Sequence, residues 1–448
     1  MRISQLLITV FINLIPTVLF ASTEHDTSIA EHSASVFPLW TVVFFAALIL
    51  SIAIFPLVNS EWWEKHYGHV SLALAIPAGL IVIYIEKLAL LHVLEEYLSF
   101  IILLGSLFII AGGIVIRVSA PGTTWLNCIF LLIGAVFASI MGTTGASMIL
   151  IRPLLRINRW RSKVTHICIF FIFLVSNIGG LLTPLGDPPL FLGFLRGVPF
   201  VWTLKLFPVW LFAVAVLLTA FFFVDRYFIK KEGPKAYSSA IANKGRGRIE
   251  IRGKKNFIFL GMVIASLFTP NIIREIIMIV AAGLSIYFTS VALREENAYT
   301  YHPIKEVAIL FAGIFVTMVP AMKILEQSGS QLGIDMPWKF FWATGILSSI
   351  LDNAPTYLIF MTAAKSVAQM QNIVSNLVVG VPEIFLKAIS VGAVFMGANT
   401  YIGNGPNFMV KAICEENGVN MPSFFGYMMW AVAFLIPVFI IITFIFFR

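Results

Sequence analysis

The stretch SNIGGLLTPLGDPPLF, at residues 176–191, decides how this chain folds, together with a second stretch, NTYIGNGPNF, at residues 399–408. Aligned without gaps, 183–191 and 400–408 share the pattern T-x-[LI]-G-[DN]-x-P-x-F. Both copies lie in strongly apolar segments, where Gly, Pro, Asp and Asn disfavour an unbroken helix. A bilayer tolerates non-helical backbone only where protein buries it or it lines a wet cavity. We therefore predict two interrupted membrane helices; the alternative, two kinked structural helices matching by coincidence, is disfavoured by the shared register.

The composition is typical of a membrane protein. Of the 448 residues, 59% are hydrophobic and 12% are charged, whereas soluble domains carry about 25% charged residues. Recurrent long apolar runs predict membrane-spanning helices. The cysteines at 128, 168 and 414 lack C-x-x-C spacing and are predicted to be small buried residues. We expect an all-α polytopic membrane protein that contacts the lipid bilayer and no nucleic acid.

Positive charge is concentrated in one loop between hydrophobic segments. Residues 230–256 hold nine basic and two acidic residues, a net charge of +7 in a chain whose total is +8. Basic loops stay on the cytoplasmic side of a membrane. The charge is thus explained as a topology signal, which predicts a cytoplasmic linker in an integral protein of a bacterial inner (plasma) membrane.

The apolar segments repeat in the same order in two halves, residues 38–229 and 257–448. Predicted spans lie near 38–58, 70–86, 97–118 and 203–228, then near 257–270, 272–293, 305–325 and 423–447; interrupted helices cover 166–195 and 386–411. Each half also has an interrupted unit, at 125–157 and 338–371, whose arms are too short to cross about 30 Å of hydrocarbon. We predict that each unit is a re-entrant hairpin. Five crossings per half is an odd number, so the two repeats are predicted to be inverted.

Residues 1–37 precede the first repeat. An early Arg2, an apolar stretch and the small residues Ala21 and Ser22 fit a signal peptide. They fit a first membrane helix equally well. In either case the polar stretch that follows is expected to lie outside.

The four breaks place polar side chains inside predicted membrane segments. Interrupted helices in corresponding positions of two halves are typical of the binding site of a secondary transporter. Carbonyl, Asn, Thr and Ser oxygens suit Na⁺, and free N–H groups at helix ends suit an anion. The candidate binding residues are Thr143, Thr144 and Ser147; Asn177, Thr183, Gly186 and Asp187; Asp352, Asn353 and Thr356; and Asn399, Thr400, Asn404 and Asn407. For a single Thr or Ser, the alternative is a hydrogen bond to its own helix.

Asp187 and Asp352 are the most informative of these residues. Ionisable groups within membrane segments mark ion or proton pathways. Na⁺ and H⁺ could compete for one carboxylate, which is sufficient for exchange. The two residues are therefore candidate ligands of transported Na⁺, and no cofactor is expected beyond transported Na⁺ and H⁺. The alternative is that each Asp only caps a half-helix.

The segments SIMGTTGASMILIRPLL, VSNIGGLLTPLGDPP, SSILDNAPTYLIFM and MGANTYIGNGPN resemble the ion transporter superfamily, which includes NhaD-type sodium/proton antiporters, arsenite permeases and citrate or dicarboxylate transporters. The resemblance covers nearly the whole chain. It implies a scaffold of outer helices, a homodimer, and a transport domain of hairpins and broken helices that moves like an elevator. LDNAPT and GDPP look most similar to the NhaD-type and citrate-transport branches. The hairpin tips lack the Ser-Asn-Thr of dicarboxylate carriers, which disfavours dicarboxylate transport.

Three transport functions follow as hypotheses. The first is Na⁺/H⁺ antiport by alternating access, centred on Asp187 and Asp352. The second is Na⁺- or H⁺-coupled transport of citrate or a dicarboxylate, and the third is arsenite-type anion permeation. No H-E-x-x-H, nucleophile elbow or phosphate loop occurs in the sequence, so an enzyme is not expected.

Overall fold

The computed structural model describes residues 37–232, 249–297 and 299–448, which are largely helical. The predicted signal peptide or first helix lies outside the described residues, as do residues 233–248 of the linker. Every statement below concerns the described parts of the chain.

The first half contains seven α-helices and one strand. In chain order they are α1 (Val42–Val58), α2 (Ser60–Ala111), β1 (Val115–Val118), α3 (Thr124–Met141), α4 (Thr143–Ile157), α5 (Thr165–Leu174), α6 (Pro188–Leu195) and α7 (Phe207–Glu232). Single 3₁₀ turns occupy Leu39–Thr41, Ile178–Leu182 and Phe200–Leu206. The predicted breaks at 142 and between residues 174 and 188 are present.

The second half begins with a strand and contains nine α-helices. They are β2 (Ile249–Arg252), α8 (Lys255–Ser266), α9 (Asn271–Phe288), α10 (Val291–Glu296), α11 (His302–Ser328), α12 (Pro337–Ile350), α13 (Asn353–Met370), the short strands β3 (Leu377–Val378) and β4 (Val381–Pro382), α14 (Glu383–Met396), α15 (Gly405–Glu416) and α16 (Phe424–Phe446). Further 3₁₀ turns occupy Gly329–Leu332 and Gly397–Asn399. The interruptions after Ile350 and Met396 also fall where the sequence predicts them.

Eight helical segments of the described residues are long and apolar enough to cross a membrane. They include α3, an arm of the first interrupted unit that was predicted to be too short; it has 18 residues because its helix already begins at Thr124. The chain is therefore a polytopic, mainly α-helical integral membrane protein. The longest segment, α2, has 52 residues, about 78 Å at 1.5 Å per residue, far more than one bilayer crossing needs. Glu86, at φ −148° and ψ 75°, breaks its helical geometry. The break separates two of the predicted spans.

Two predicted spans differ from the structure. The span expected at 257–270 is α8, whose 12 residues, about 18 Å at 1.5 Å per residue, leave it outside the eight spanning segments. The span expected at 97–118 ends at Ala111, because Gly112 and Gly113 stop the helix and residues 115–118 form β1. This strand pairs antiparallel with β2, from Val115 opposite Arg252 to Val118 opposite Ile249. Part of the linker expected to be a loop is thus a strand, since the two short segments satisfy each other's backbone hydrogen bonds.

The helices pack in two sets. The outer set consists of α1, α2, α8, α9 and α11, in which α11 and α9 lie along α2. The central set consists of α3–α7 and α12–α16, with α3 on α4 and α12 on α14. Contacts between the sets run from α11 to α13 and from α2 to α4 and α6. All four breaks belong to the central set.

Candidate functional site

The first break, between α3 and α4, brings a helix end to the buried interior. Gly142 joins the two helices at φ +83°, a conformation that residues with a Cβ rarely adopt. Thr143 then donates its backbone N–H to the carbonyl of Gly186, at 2.8 Å. The tip of the first interrupted unit is thereby held against the first interrupted helix.

Asp187 lies at the centre of the four breaks and is 2% exposed. Its Oδ1 accepts hydrogen bonds from Thr143 Oγ1 at 2.9 Å and from Asn404 Nδ2 at 3.0 Å. Its Oδ2 accepts one from Asn353 Nδ2 at 2.5 Å. These donors come from the other three breaks, so all four predicted segments meet at one carboxylate.

Asp187 has no basic partner. None of the ion pairs within residues 37–232, 249–297 and 299–448 includes it. It occupies the N-cap position of α6, but its side chain makes no capping hydrogen bond. A buried carboxylate held by neutral donors alone can gain a proton or a cation. The alternative that Asp187 only caps a half-helix therefore does not describe its side-chain contacts.

Asp352 is placed differently. It is half-buried and caps α13, because its Oδ1 accepts a hydrogen bond from Ala354 N at 3.0 Å. Thr356 donates from Oγ1 to the backbone carbonyl of Asp352 at 2.9 Å. Both contacts are local, which is the alternative anticipated for single polar residues in a helix end.

Substitutions at Asp352 can separate capping from charge. Asp352→Asn is expected to change stability by less than about 0.5 kcal/mol, because Asn and Asp are comparable caps, whereas Asp352→Ala should cost about 1 kcal/mol. Thermal unfolding of the purified variants measures both effects. Ser423→Ala, which removes the cap of α16, is the matched control. An Asp352→Asn protein of normal stability that no longer transports would instead place the charge in the ion path.

The two halves use equivalent contacts around their breaks. In the first, Thr183 Oγ1 donates to the carbonyl of Ser139, and Ser139 Oγ donates to the carbonyl of Gly179 at 2.5 Å. In the second, Thr400 Oγ1 donates to the carbonyl of Ser349 at 2.5 Å. Ser349 Oγ in turn donates to the carbonyl of Met396 at 3.0 Å. Thr183 and Thr400 therefore join each interrupted helix to its neighbouring interrupted unit.

Three asparagines connect the two interrupted helices. Asn177 Nδ2 donates to Asn407 Oδ1 at 2.7 Å, and Asn404 Nδ2 lies 3.3 Å from Asn177 Oδ1. Asn407 Nδ2 donates to the carbonyls of Gly397 and Thr400, each at 2.9 Å. All three asparagines are buried. Asn404 occupies the position that Asp187 has in the shared pattern, so the centre pairs one carboxylate with one amide.

Two further candidates from the first break lie beside this centre. The Oγ atoms of Ser147 and Ser176 are 2.8 Å apart. Thr144 is half-buried and lines a mainly apolar cavity of about 70 Å³ between α2, α11 and the first break. That cavity also contacts Thr143 and Gly186, so it adjoins the donors of Asp187.

Two buried amide oxygens in the third and fourth breaks have no hydrogen-bond partner. They are Oδ1 of Asn353 and Oδ1 of Asn399, whose amide nitrogens donate to Asp187 and Ser349 respectively. Leaving a polar atom without a partner in a buried site costs about 1–3 kcal/mol. Unpaired oxygens of this kind could ligate a small cation. Within the described residues, no three His, Cys, Asp or Glu side chains form a metal cluster.

Several buried polar contacts were not predicted from the sequence. Ser139, Ser176 and Ser349 hold the breaks together but were not candidates, although the repeated Ser-Ile at 139–140 and 349–350 was a usable signal. A buried ion pair between Arg161 and Asp225, 2.7 Å apart, was also missed. His166 Nε2 is 2.8 Å from the same Asp225 oxygen, and Asp225 lies 59 positions along the chain from His166. No local pattern joins these positions.

The fold and the site define a class of protein: a polytopic helical membrane protein whose interrupted helices meet at a buried carboxylate. Residues 33–447 match a protein-family model described as "Putative citrate transport". The chain belongs to this family. A search of the curated proteins finds no match.

Proposed function

We propose that the protein is an ion-coupled secondary transporter of citrate-type carboxylates, with Asp187 as the coupling group. The observation that carries the proposal is the setting of Asp187. It is buried, it contacts all three other breaks, and no Arg, Lys or His of the described residues forms an ion pair with it. Binding of H⁺ or Na⁺ would neutralise the Asp187 carboxylate and remove the energetic cost of burying its charge. Cation binding at Asp187 can therefore be coupled to movement of the central set of helices.

The substrate class rests on the family, and the site has groups suited to it. The half-helices α4, α6, α13 and α15 all begin at the breaks. The backbone N–H groups in the first turns of α4, α13 and α15 are potential donors for carboxylate oxygens, whereas α6 begins with Pro188 and Pro189, which have no N–H. A carboxylate would be bound without Arg or Lys, so neutralising Asp187 first avoids repulsion between like charges.

Na⁺/H⁺ antiport is the second candidate function. The unpaired oxygens of Asn353 and Asn399 favour it, since amide oxygens bind Na⁺ and do not bind an anion. In that mechanism Asp187 alternates between H⁺ and Na⁺, with Asp352 as an auxiliary charge. Arsenite-type permeation remains a prediction from the superfamily resemblance.

We further propose that residues 38–229 and 257–448 are inverted repeats, each with a re-entrant hairpin. The equivalent Ser-Thr contacts in the two halves support this arrangement. The two sets of helices would then correspond to a scaffold and a moving transport domain in a homodimer. Residues 230–256 would join the two repeats on the cytoplasmic side of a bacterial inner membrane.

Transport by purified protein in liposomes distinguishes the two functions. For the carboxylate function, radiolabelled citrate should accumulate under an inward H⁺ or Na⁺ gradient and should not accumulate without one. For antiport, Na⁺ alone should collapse an imposed pH gradient in the absence of citrate. Accumulation without any effect of Na⁺ on the gradient supports the first. Collapse of the pH gradient without citrate accumulation supports the second. If neither accumulation nor collapse is observed, both proposed functions are contradicted.

A further inference from the structure

A large polar cavity lies near the end of α7, where the linker begins. It has a volume of about 590 Å³ and is formed by the loop between α4 and α5, the end of α7 and the loop between α15 and α16. Three basic side chains are among its lining residues, Arg159, Arg161 and Lys163, and none of the lining residues is acidic. None of the transport contacts described above involves this cavity.

Two of the three basic residues carry uncompensated charge. Arg161 is neutralised by Asp225 at 2.7 Å, and its side chain is inaccessible. Arg159 and Lys163 are exposed and take part in none of the ion pairs found in the described ranges. Glu232, next to the cavity, accepts a hydrogen bond from the backbone N–H of Ser162 at 2.8 Å. One acid beside two free cations leaves the cavity positive.

An apolar groove continues from this cavity along the membrane surface of the protein. The groove has a volume of about 570 Å³ and lies between α7 and α16. Phe228 and Trp430 line both the cavity and the groove, so the two are contiguous. On α16 the lining positions run from Gly426 to Phe434, about 12 Å along one helix face.

The groove opens outward, and its lining residues include strongly exposed apolar side chains. Phe223 is 65% exposed and Met429 is 68% exposed. Trp430 stands between the polar and apolar parts, the position that Trp favours at the boundary between head groups and hydrocarbon. A positive cavity joined to an apolar groove matches the two chemical halves of an anionic phospholipid.

We propose that one anionic phospholipid binds between α7 and α16. Its head group occupies the cavity beside Arg159 and Lys163, and one acyl chain lies in the groove. The cations supply charge complementarity to the phosphodiester, and the groove supplies contact that a soluble phosphate cannot use. The site is separate from Asp187 and does not depend on the transported species.

Native mass spectrometry of the full chain in detergent tests the proposal. With phosphatidylglycerol and phosphatidylcholine of identical acyl chains, we expect one retained phosphatidylglycerol and weaker binding of phosphatidylcholine. The double variant Arg159→Gln/Lys163→Gln should weaken phosphatidylglycerol binding about thirty-fold, from roughly five-fold per cation. Ala433→Trp, which fills the groove, should weaken binding of both lipids.

The matched control is Lys230→Gln/Lys254→Gln, which removes the same charge from exposed positions outside the cavity. It should leave phosphatidylglycerol binding within about two-fold of wild type. Equal loss in the control would show a non-specific surface effect and overturn the proposal. Unchanged lipid binding in Ala433→Trp, or equal retention of soluble glycerol phosphate, would show that no acyl chain binds in the groove. A dimer that covers the groove without retained lipid would also overturn it.

Discussion

Replacing Asp187 by asparagine is expected to abolish coupled transport while leaving a folded protein. Asparagine has the same shape but carries no negative charge and takes up no proton, so it cannot couple transport to H⁺ or to exchange of H⁺ for Na⁺, and transport should fall about a hundred-fold or more. Its amide NH₂ would also face a donor from Thr143, Asn353 or Asn404. That mismatch should cost about 1–3 kcal/mol of stability. Gradient-driven uptake in proteoliposomes and thermal unfolding measure the two effects separately.

The control for this substitution is Asp335→Asn. Asp335 is exposed and pairs with Lys339 at 2.6 Å, so the same chemical change at the surface should leave transport unchanged within about two-fold. Wild-type coupling in Asp187→Asn would show that this carboxylate is not the coupling group. Facilitated substrate exchange that no longer responds to the ion gradient would agree with the proposed role.

A double variant gives a more stringent test of the same site. Asp187→Asn/Asn404→Asp exchanges the carboxylate with the amide that donates to it. The pair can still hydrogen bond, so partial recovery of transport over the single variant is expected. Recovery should be incomplete, because Asn404 also donates to the carbonyl of Ser176 at 3.1 Å, and a carboxylate there would meet an acceptor.

The second large effect is expected at Gly186. A Cβ added there would lie 2.0 Å from the carbonyl oxygen of Gly180, and neither backbone can move without disturbing the first interrupted helix. Gly186→Ala should therefore cost more than about 3 kcal/mol and remove transport. The carbonyl of Gly186 also accepts from Thr143 N, so a shift would displace a donor of Asp187. Yield of monodisperse protein and its thermal midpoint are the measurements.

Gly405 offers a matched control in the second interrupted helix. A Cβ at this position meets no atom within 4 Å, so Gly405→Ala should change stability by less than about 0.5 kcal/mol. A stable Gly186→Ala protein would contradict the close packing of Gly180 against Gly186. Equal destabilisation by both substitutions would indicate that any side chain in these breaks is damaging.

Much of the fold could be predicted because the bilayer restricts which backbone conformations a membrane segment can adopt. Apolar runs must be helices, so their interruption at Gly142, Asp187 and Asp352 stands out against a uniform background. The repeated pattern located the two interrupted helices, and the short apolar arms on either side of Gly142 and Asp352 located the other two breaks. The end of α2 was predicted less well, because a Gly-Gly pair and a four-residue strand are weak signals beside an apolar run.

The sequence alone determined that this is a helical membrane protein with four polar breaks and two acids within them. Only the tertiary structure decided that the two acids differ: Asp187 receives donors from three other segments, whereas Asp352 caps its own helix. The physical reason is the separation along the sequence between each acid and its hydrogen-bond donors. A cap depends on residues two positions away, but the donors to Asp187 lie 44 to 217 positions away, and only packing brings them to one carboxylate.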